Sequence, residues 1–588
     1  MEEIMRLNIE FYKSEEDKIT KTDQEIIEYI NNYEKKDYDT IIEKDERLEV
    51  ILALSKLREN IISWYPFKKN CRILEINGGF GEITGKLCDI ADSVVTIEES
   101  KIRAEAIAKR HEDRENLEII VGKIEDIKFE EKFDYIVIIG MRDKKIISQV
   151  LELLKNDGII LTAFNNRFGV EQLFTIKANG EDLITQKELQ TLPNIEEYLE
   201  KMNLKKKEYF VLTDYKLTNV IFSEKFDMTQ ENMSRNITYY APNDIKVYNQ
   251  NDIYCKILEE KNMEILKNFL NSYFIEIFKE DYVENGIKFV SFSNMRKKQY
   301  RIKTIIYDKK VVKSNMISRS KEHINSIKNN IDYMKASGIK TLDTYNENEI
   351  ENAFQNEETL DNVIIDKMKS GNIQEGMKLI IQFKEMLMAK LKIVENIENN
   401  AFDKYEIPYN QKDIENMHFV EKGLLDLIFQ NCFYINNEFY FYDQEWMEER
   451  IPIEFIIYRS IIYCNGIRGF FTIEKLLEKL KINSRQAELF KNLDDKIQDK
   501  IRNNVMWNLN KSGIRIKEIH TKMLTLQHQV NLLNIELNKV NEENQKVKEE
   551  KQIIENELEE IRQKQLEEEN KRKQKITYKI MKFIKNEK

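Results

Sequence analysis

Proline is nearly missing from this 588-residue chain: there are 5, and none follows Pro452. Proline lacks an amide hydrogen and its ring breaks helices, so helices in the C-terminal part can run without interruption. Cysteine is equally scarce. The five (Cys71, Cys88, Cys255, Cys432, Cys464) are scattered, with no CxxC pair and no histidine at ligand spacing. That excludes a disulfide framework or zinc ribbon and leaves reduced core thiols of a cytosolic protein. No apolar run approaches the ~20 residues that span a bilayer; the longest, Tyr135–Ile139, has the length of a buried strand. The acidic opening MEEIMRLNIEFYKSEEDK lacks the basic flank and apolar stretch of a signal peptide. Excess positive charge is missing too. With a formal net charge of −11, a general nucleic-acid binder is excluded, since phosphate neutralisation needs a basic face. A soluble, cytoplasmic protein without a nucleic-acid partner is expected.

What is present is ample apolar material, 41 % of residues, and 34 % charged residues, enough for several cores plus exposed helices. Five segments follow from the patterning. Residues 1–45 form a polar, helical extension. Residues 46–225 open with a helix over Glu46–Trp64, stopped by Pro66, and then alternate strands with helices in the α/β manner. Residues 245–510 mix strands near 288–313, several helices and a hairpin near 432–443, an α+β domain. Residues 514–570 are one long heptad-patterned helix, and 571–588 form a basic amphipathic tail. The predicted fold class is therefore an α/β Rossmann-like domain, an α+β domain and a C-terminal coiled-coil helix.

The strongest local signal lies in the second segment. The apolar strand Cys71–Ile76 runs into Asn77-Gly-Gly-Phe-Gly81 and then into a helix. Such a turn lets backbone approach a ligand closely and offers the free N–H groups of a helix start. The next strand ends in Glu98, 17 residues after Gly81, where a ribose-binding carboxylate belongs. The third strand leads through Gly122 to Glu125-Asp126, suited to an adenine amino group, and the fourth is Phe133–Ile139. A nicotinamide fingerprint fits less well, because its third glycine would fall on Thr84.

These stretches, LEINGGFGEITG (74–85), VTIEESKIRA (95–104) and KFDYIVIIG (132–140), together with Leu54–Phe67, Asn165–Gly169 and Thr213–Asn219, resemble class I methyltransferases of bacterial surface-glycan gene clusters. The resemblance implies S-adenosylmethionine as cofactor. It assigns Glu75, Asn77, Gly79 and Gly81 to the cofactor loop, Glu98 to the ribose and Asp126 to the adenine. Asn77 stands where the family has the first glycine, and Asp143 takes the place of the acid after the fourth strand. It is the candidate base for methyl transfer to a sugar or glycan-linked acceptor.

A second constellation resembles the kinase catalytic loop and metal-binding aspartate: Asp426-x-x-x-x-Asn431, a hairpin around Asn436-Asn437, then Asp443. On that comparison Asp426 is the base, Asn431 and Asp443 hold magnesium, and Lys313 binds ATP with Glu322 as its partner. The candidate nucleotide loop, Ser291–Arg296, has no glycine, and no His-Arg precedes Asp426.

In the C-terminal helix, Ile516, Met523, Val530, Leu537, Asn544, Lys551, Leu558 and Gln565 occupy heptad position a. Ile519, Leu526, Leu533, Val540, Val547, Ile554 and Ile561 occupy d. A seam with Leu at d, Val at a and a single Asn predicts a parallel homodimer. The tail interleaves lysines with Ile576, Tyr578, Ile580, Met581, Phe583 and Ile584, a pattern that fits the inner face of an anionic membrane. Two readings compete with methyl transfer: a catalytically inactive coiled-coil scaffold, and an ATP-dependent phosphotransferase acting on a glycan.

Overall fold

The computed structural model describes residues 7–13, 17, 19–32, 37–176, 189–239, 245–246, 248–260, 263–280, 284–464 and 466–585. Residues up to 514 form one unit and residues from 515 a second.

The first unit is organised by strands β1 (Leu7–Asn8), β2 (Arg72–Ile76), β3 (Ser93–Glu98), β4 (Leu117–Val121), β5 (Phe133–Ile139) and β6 (Leu154–Asn165). All six lie parallel, in the order β1-β4-β3-β2-β5-β6. Parallel sheets are covered on both faces, so their strands carry apolar residues at successive positions. In β5, Ile136, Val137 and Ile138 are accordingly all buried.

Beyond β6 come β7 (Thr175–Ile176), β8 (Lys205–Leu212), β9 (Val220–Ser223), β10 (Ile245–Lys246) and β11 (Ser272–Phe278). β7 and β10 form a small separate ladder. β11 inserts antiparallel between β6 and β8. The sheet thus draws a strand from beyond residue 225, where the sequence pattern had closed the Rossmann-like domain. All seven β11 residues are buried, Glu276 among them.

The sheet then continues without a break. β12 (Ile287–Phe292) pairs with β9, and β13 (Ile302–Tyr307), β14 (Lys310–Asn315), β15 (Thr344–Tyr345) and β16 (Glu349–Ala353) complete fourteen strands in the order β9-β12-β13-β14-β16-β15. The helix Lys321–Ala336 lays Ile324, Ile327 and Ile331 against Ile302 and Ile350 of this antiparallel part. After the helices Leu360–Lys369 and Ile373–Lys390, β17 (Phe419–Leu424) pairs with β20 (Met447–Pro452). Between them β18 (Cys432–Ile435) and β19 (Glu438–Phe441) form a hairpin. Asn436 and Asn437 sit at its tip with φ of 51° and 63°, the left-handed pair that a two-residue hairpin turn requires.

One sequence expectation changes here. The segment Glu46–Trp64 is not one helix: Ser55 is extended (ψ 135°), and its hydroxyl accepts the Leu57 amide to start a new turn after the helix Leu48–Leu54. The N-terminal segment carries helices, Lys21–Asn32 and Asp39–Lys44, as its pattern predicts, and it also packs into the first unit. β1 adds to the edge of the parallel sheet, and the helix Lys21–Asn32 buries Ile26 and Ile30 in a cluster with Val50, Phe80 and Val505.

The helix Asn504–Lys585 runs for 82 residues. From Met523 to Ile561 the apolar a and d side chains, Met523, Leu526, Val530, Leu533, Leu537, Val540, Val547, Ile554, Leu558 and Ile561, are each 50–64 % exposed. The side chains of Ile516, Ile519, Phe583 and Ile584, and the tail residues 586–588, lie outside those described. No helix among the described residues is long and apolar enough to cross a membrane.

Candidate functional site

The chain passes from β2 to β3 to β4 on one side of the parallel sheet and then crosses to β5 on the other. Where strand order reverses, a crevice opens at the carboxyl ends of the strands, and ligands of open α/β sheets bind there. The loop after β2 forms one lip. Asn77 adopts φ 60° and Gly79 φ 60°. Asparagine accepts the left-handed region better than other residues with a β-carbon, so the departure at Asn77 leaves the loop shape intact. A Cβ on Gly78 would lie 2.4 Å from Thr96 Cγ2, so the loop has no room for a larger residue there.

Glu75 is turned inward. Its Oε2 accepts the Thr84 and Thr96 hydroxyls, each at 2.7 Å, and burial pushes its carboxyl up to about 7. It therefore shapes the loop from beneath. Glu98, at the end of β3, bridges the lip: one oxygen accepts the Gly79 amide at 2.9 Å and the other the Ser100 amide at 3.1 Å. Burial raises its pKa and the two amide bonds oppose the rise. Behind Gly81, His111 Nε2 lies 2.9 Å from the Gly81 carbonyl, so the neutral ring carries its proton on Nε2. Burial, then Arg110, depress this histidine to about 3. Arg110 donates to the carbonyls of Ala53 and Phe80 at 2.8 and 2.9 Å.

The N-terminal strand brings a feature invisible in the sequence. Asp126 Oδ1 pairs with Lys13 Nζ at 2.6 Å, and a Cβ on Gly122 would meet the Phe11 carbonyl at 3.0 Å. Residues 11–13 thus lie beside the position assigned to adenine. With Lys13 71 % exposed, the pair contributes no more than about 1 kcal/mol and can yield to a ligand.

On the opposite lip, Asp143 is exposed and accepts the amide of Lys145, two residues on, at 3.0 Å, which makes it a loop cap. The group at this lip is Tyr215: a Cβ on Gly140, at the end of β5, would lie 3.1 Å from its hydroxyl. The Arg58 and Lys216 cations stand 5.8 and 5.9 Å from its ring. Asp214 beside it accepts the amides of Lys216 and Leu217, and its pKa is raised by burial and then by Glu171. The Thr213–Asn219 stretch was visible in the sequence, yet nothing in its spacing aimed it at Gly140.

A chain of buried amides links this region to the second half. Asn60 Nδ2 donates to the Thr218 carbonyl and to Asn294 Oδ1, and Asn294 Nδ2 donates to Asn219 Oδ1. Asn294 belongs to the loop between β12 and β13, the candidate nucleotide loop.

At the second centre, Lys313 of β14 forms an ion pair with Asp443, 130 residues later, and lies 3.5 Å from Glu445. Asp443 receives further support through its amide, which donates to Asp343 Oδ2 at 2.8 Å. Burial raises the Asp443 carboxyl to about 7 against the pull of Lys313. Asp426 Oδ2 accepts the amides of Glu445 and Trp446 at 3.0 and 3.2 Å, and Asn431 Nδ2 approaches the Asp426 and Asp443 carbonyls at 3.3 and 3.5 Å. The expected Lys313–Glu322 partnership does not form. Ile324, Ile327 and Ile331 face the sheet, which turns Glu322 outward into solvent. His323 takes the inward position, its Nε2 3.1 Å from Glu445. No cluster of three or more His, Cys, Asp or Glu side chains able to hold a metal occurs among the described residues.

No protein-family model matches the chain, and no curated protein matches it. Solved structures similar to it include SAM-dependent methyltransferases. A TehB-like SAM-dependent methyltransferase from Corynebacterium glutamicum is 16 % identical, over 28 % of this chain and 79 % of that one, with a TM-score of 0.21. Phosphoethanolamine N-methyltransferase 2 of Haemonchus contortus, solved with S-adenosylhomocysteine, is 17 % identical over 39 % and 53 % (TM-score 0.25). The [4+2]-cyclase SpnF is 11 % identical over 39 % and 82 % (TM-score 0.25). Each likeness covers part of this chain at low identity.

Proposed function

We propose that the first half of the chain binds S-adenosylmethionine and transfers its methyl group to a hydroxyl of a sugar or glycan-linked acceptor. The observation that carries this reading is Glu98, a buried carboxylate hydrogen-bonded to the Gly79 amide across the switch-point loop. A carboxylate so placed accepts from a ribose diol, while the Asn77–Gly81 backbone faces the amino-acid portion and Asp126 the adenine. The cofactor would supply an already activated methyl on a sulfonium. The chain's part is then to align the acceptor and take its proton. Tyr215 borders the transfer point, and Asp214, with its raised pKa, is better suited to accept a proton than the exposed Asp143. The choice of a glycan acceptor rests on the sequence resemblance of residues 40–225.

Calorimetry on the full-length protein tests the reading. Micromolar binding of S-adenosylmethionine is expected, with at least a tenfold loss in Glu98→Ala. Well-folded protein that binds none would leave the scaffold reading in its place.

A second reading is favoured by the Lys313–Asp443 pair. On this reading Lys313 is the strand lysine, Asp426 and Asn431 belong to a catalytic loop and Asp443 is the metal-binding aspartate of a kinase-like site for a magnesium–nucleotide complex. We propose further that the exposed heptad seam pairs with a second copy of the chain in parallel. Sedimentation equilibrium should return a dimer, and replacing Leu526 and Leu533 with serine should give monomer. A monomeric parent protein would end that proposal.

A further inference from the structure

The loop between β12 and β13 stands where a glycine-rich loop would cover a nucleotide, and its backbone is committed elsewhere. The Ser293 amide donates to the Ile302 carbonyl and the Lys297 amide to Ile501 at 2.8 Å, while the Met295 carbonyl accepts the Asn503 amide at 2.7 Å. Asn294 is fully buried and held by Asn60 and Asn219. Backbone so fixed cannot fold over phosphates in the way glycine amides do. What the loop does send into the centre is one side chain, Arg296.

The Arg296 guanidinium forms an ion pair with Glu445 Oε2, which also meets His323 Nε2 at 3.1 Å. The other oxygen, Oε1, lies 3.5 Å from Lys313 Nζ. Arg296 and Lys313 therefore grip opposite oxygens of a single carboxylate, itself only 6 % exposed. The guanidinium stands 5.7 Å from the Trp446 ring, and His323 packs on the same ring with centroids 4.6 Å apart, so the fork is held from the side. Two cations spaced to bracket a carboxylate are spaced to bracket a phosphate, whose oxygens are similarly separated.

We propose that Arg296 is a phosphate-binding residue of the second centre, doing with a side chain what the missing glycines would do with amides. The inference rests on the nucleotide reading of that centre. On this reading Glu445 occupies the place of a phosphate between Arg296 and Lys313, and Lys313 that of the cation Asp443 would meet. A magnesium-bound polyphosphate brings both signs at once. Asp443 and Glu445 would be the two protein carboxylates facing the metal, the phosphate oxygens completing its ligands, and Lys313 and Arg296 would exchange carboxylates for phosphate oxygens, so that no buried charge would be left alone. Nucleotide and magnesium should then bind together and poorly apart.

The test measures binding of Mg·ATP and of adenosine to the full-length protein and to Arg296→Ala and Arg296→Lys, with thermal unfolding recorded for each. Arg296→Ala is expected to weaken Mg·ATP at least tenfold and leave adenosine within twofold, with Arg296→Lys between the two. Equal weakening of both ligands would assign Arg296 a structural role and overturn the inference. Unchanged Mg·ATP affinity in a folded Arg296→Ala would overturn it too, while sparing the nucleotide reading. Parent protein that binds adenosine and Mg·ATP alike, or neither, would remove both.

Discussion

Arg459→Leu is expected to destabilise the protein by about 3–5 kcal/mol, the range seen when one partner of a buried ion pair is deleted. Arg459 sits on the helix Ile453–Ile462 and is 5 % exposed. Its guanidinium pairs with Asp494 of the helix Ser484–Ile501, lies 3.7 Å from Asp426, and donates through Nε to the Leu425 carbonyl at 3.0 Å. Without it, two nearly buried carboxylates and a carbonyl lose their shared donor; the Tyr463 hydroxyl, 2.7 Å from Asp494, remains on that acid. Urea unfolding checks the magnitude. The double variant Arg459→Leu/Asp494→Leu should recover part of the loss, since it removes the stranded charge as well. A parent-like midpoint in the single variant would show that the network carries no net stability. Because Asp426 also holds the Glu445 and Trp446 amides, the single variant should weaken the second centre along with the fold.

The contributions of two buried glutamates to stability should fade as pH rises from about 4.5 to 7, alongside that of Asp443 and against the opposite trend of His111, whose depressed pKa favours the folded state increasingly as pH climbs toward 6.5. Glu75 and Glu276 are each pushed from 4.5 to about 7, chiefly by burial. A folded pKa above the unfolded one means the folded state holds the proton longer. The contribution is complete below the unfolded value, fades through the interval and is gone above the folded value. At ~1.4 kcal/mol per pH unit, each group can contribute on the order of 3 kcal/mol. Glu276 is the clearer case, since it lies on β11 inside the sheet and its Oε2 has no hydrogen-bond partner among the described residues. Asn285 Nδ2 reaches its other oxygen at 3.5 Å. Glu276→Gln cannot titrate, so its urea midpoint should change less between pH 5 and pH 8 than that of the parent. Parallel profiles for the two proteins would refute the assignment.

Much of the lip after β2 and β3 was legible in the sequence because it depends on neighbours a few residues apart. Glycines after a strand, Asn77 where φ is positive, and an acid at the end of the next strand are local statements, and the structure places Gly79 and Glu98 within one hydrogen bond. Even Glu322 had a local signal against it: Ile324, Ile327 and Ile331 set the helix phase and point position 322 away from the sheet. Tyr215 and Glu445 had none, because their partners, Gly140 and Arg296, are 75 and 149 residues distant.

The sequence by itself determined the run of strands and helices from residue 71 to 165, the glycine loop and the long C-terminal helix with its heptad stripe. Each follows from backbone preference and the period of apolar residues, which act within a turn or a strand. Only the tertiary structure decided that β1 joins the sheet edge, that β11 enters between β6 and β8, and that one fourteen-stranded sheet joins both halves. A wholly apolar strand announces that it is buried without saying beside which neighbour. That choice is made by the packing of distant segments, and with it came the pairing of Lys313 with Asp443.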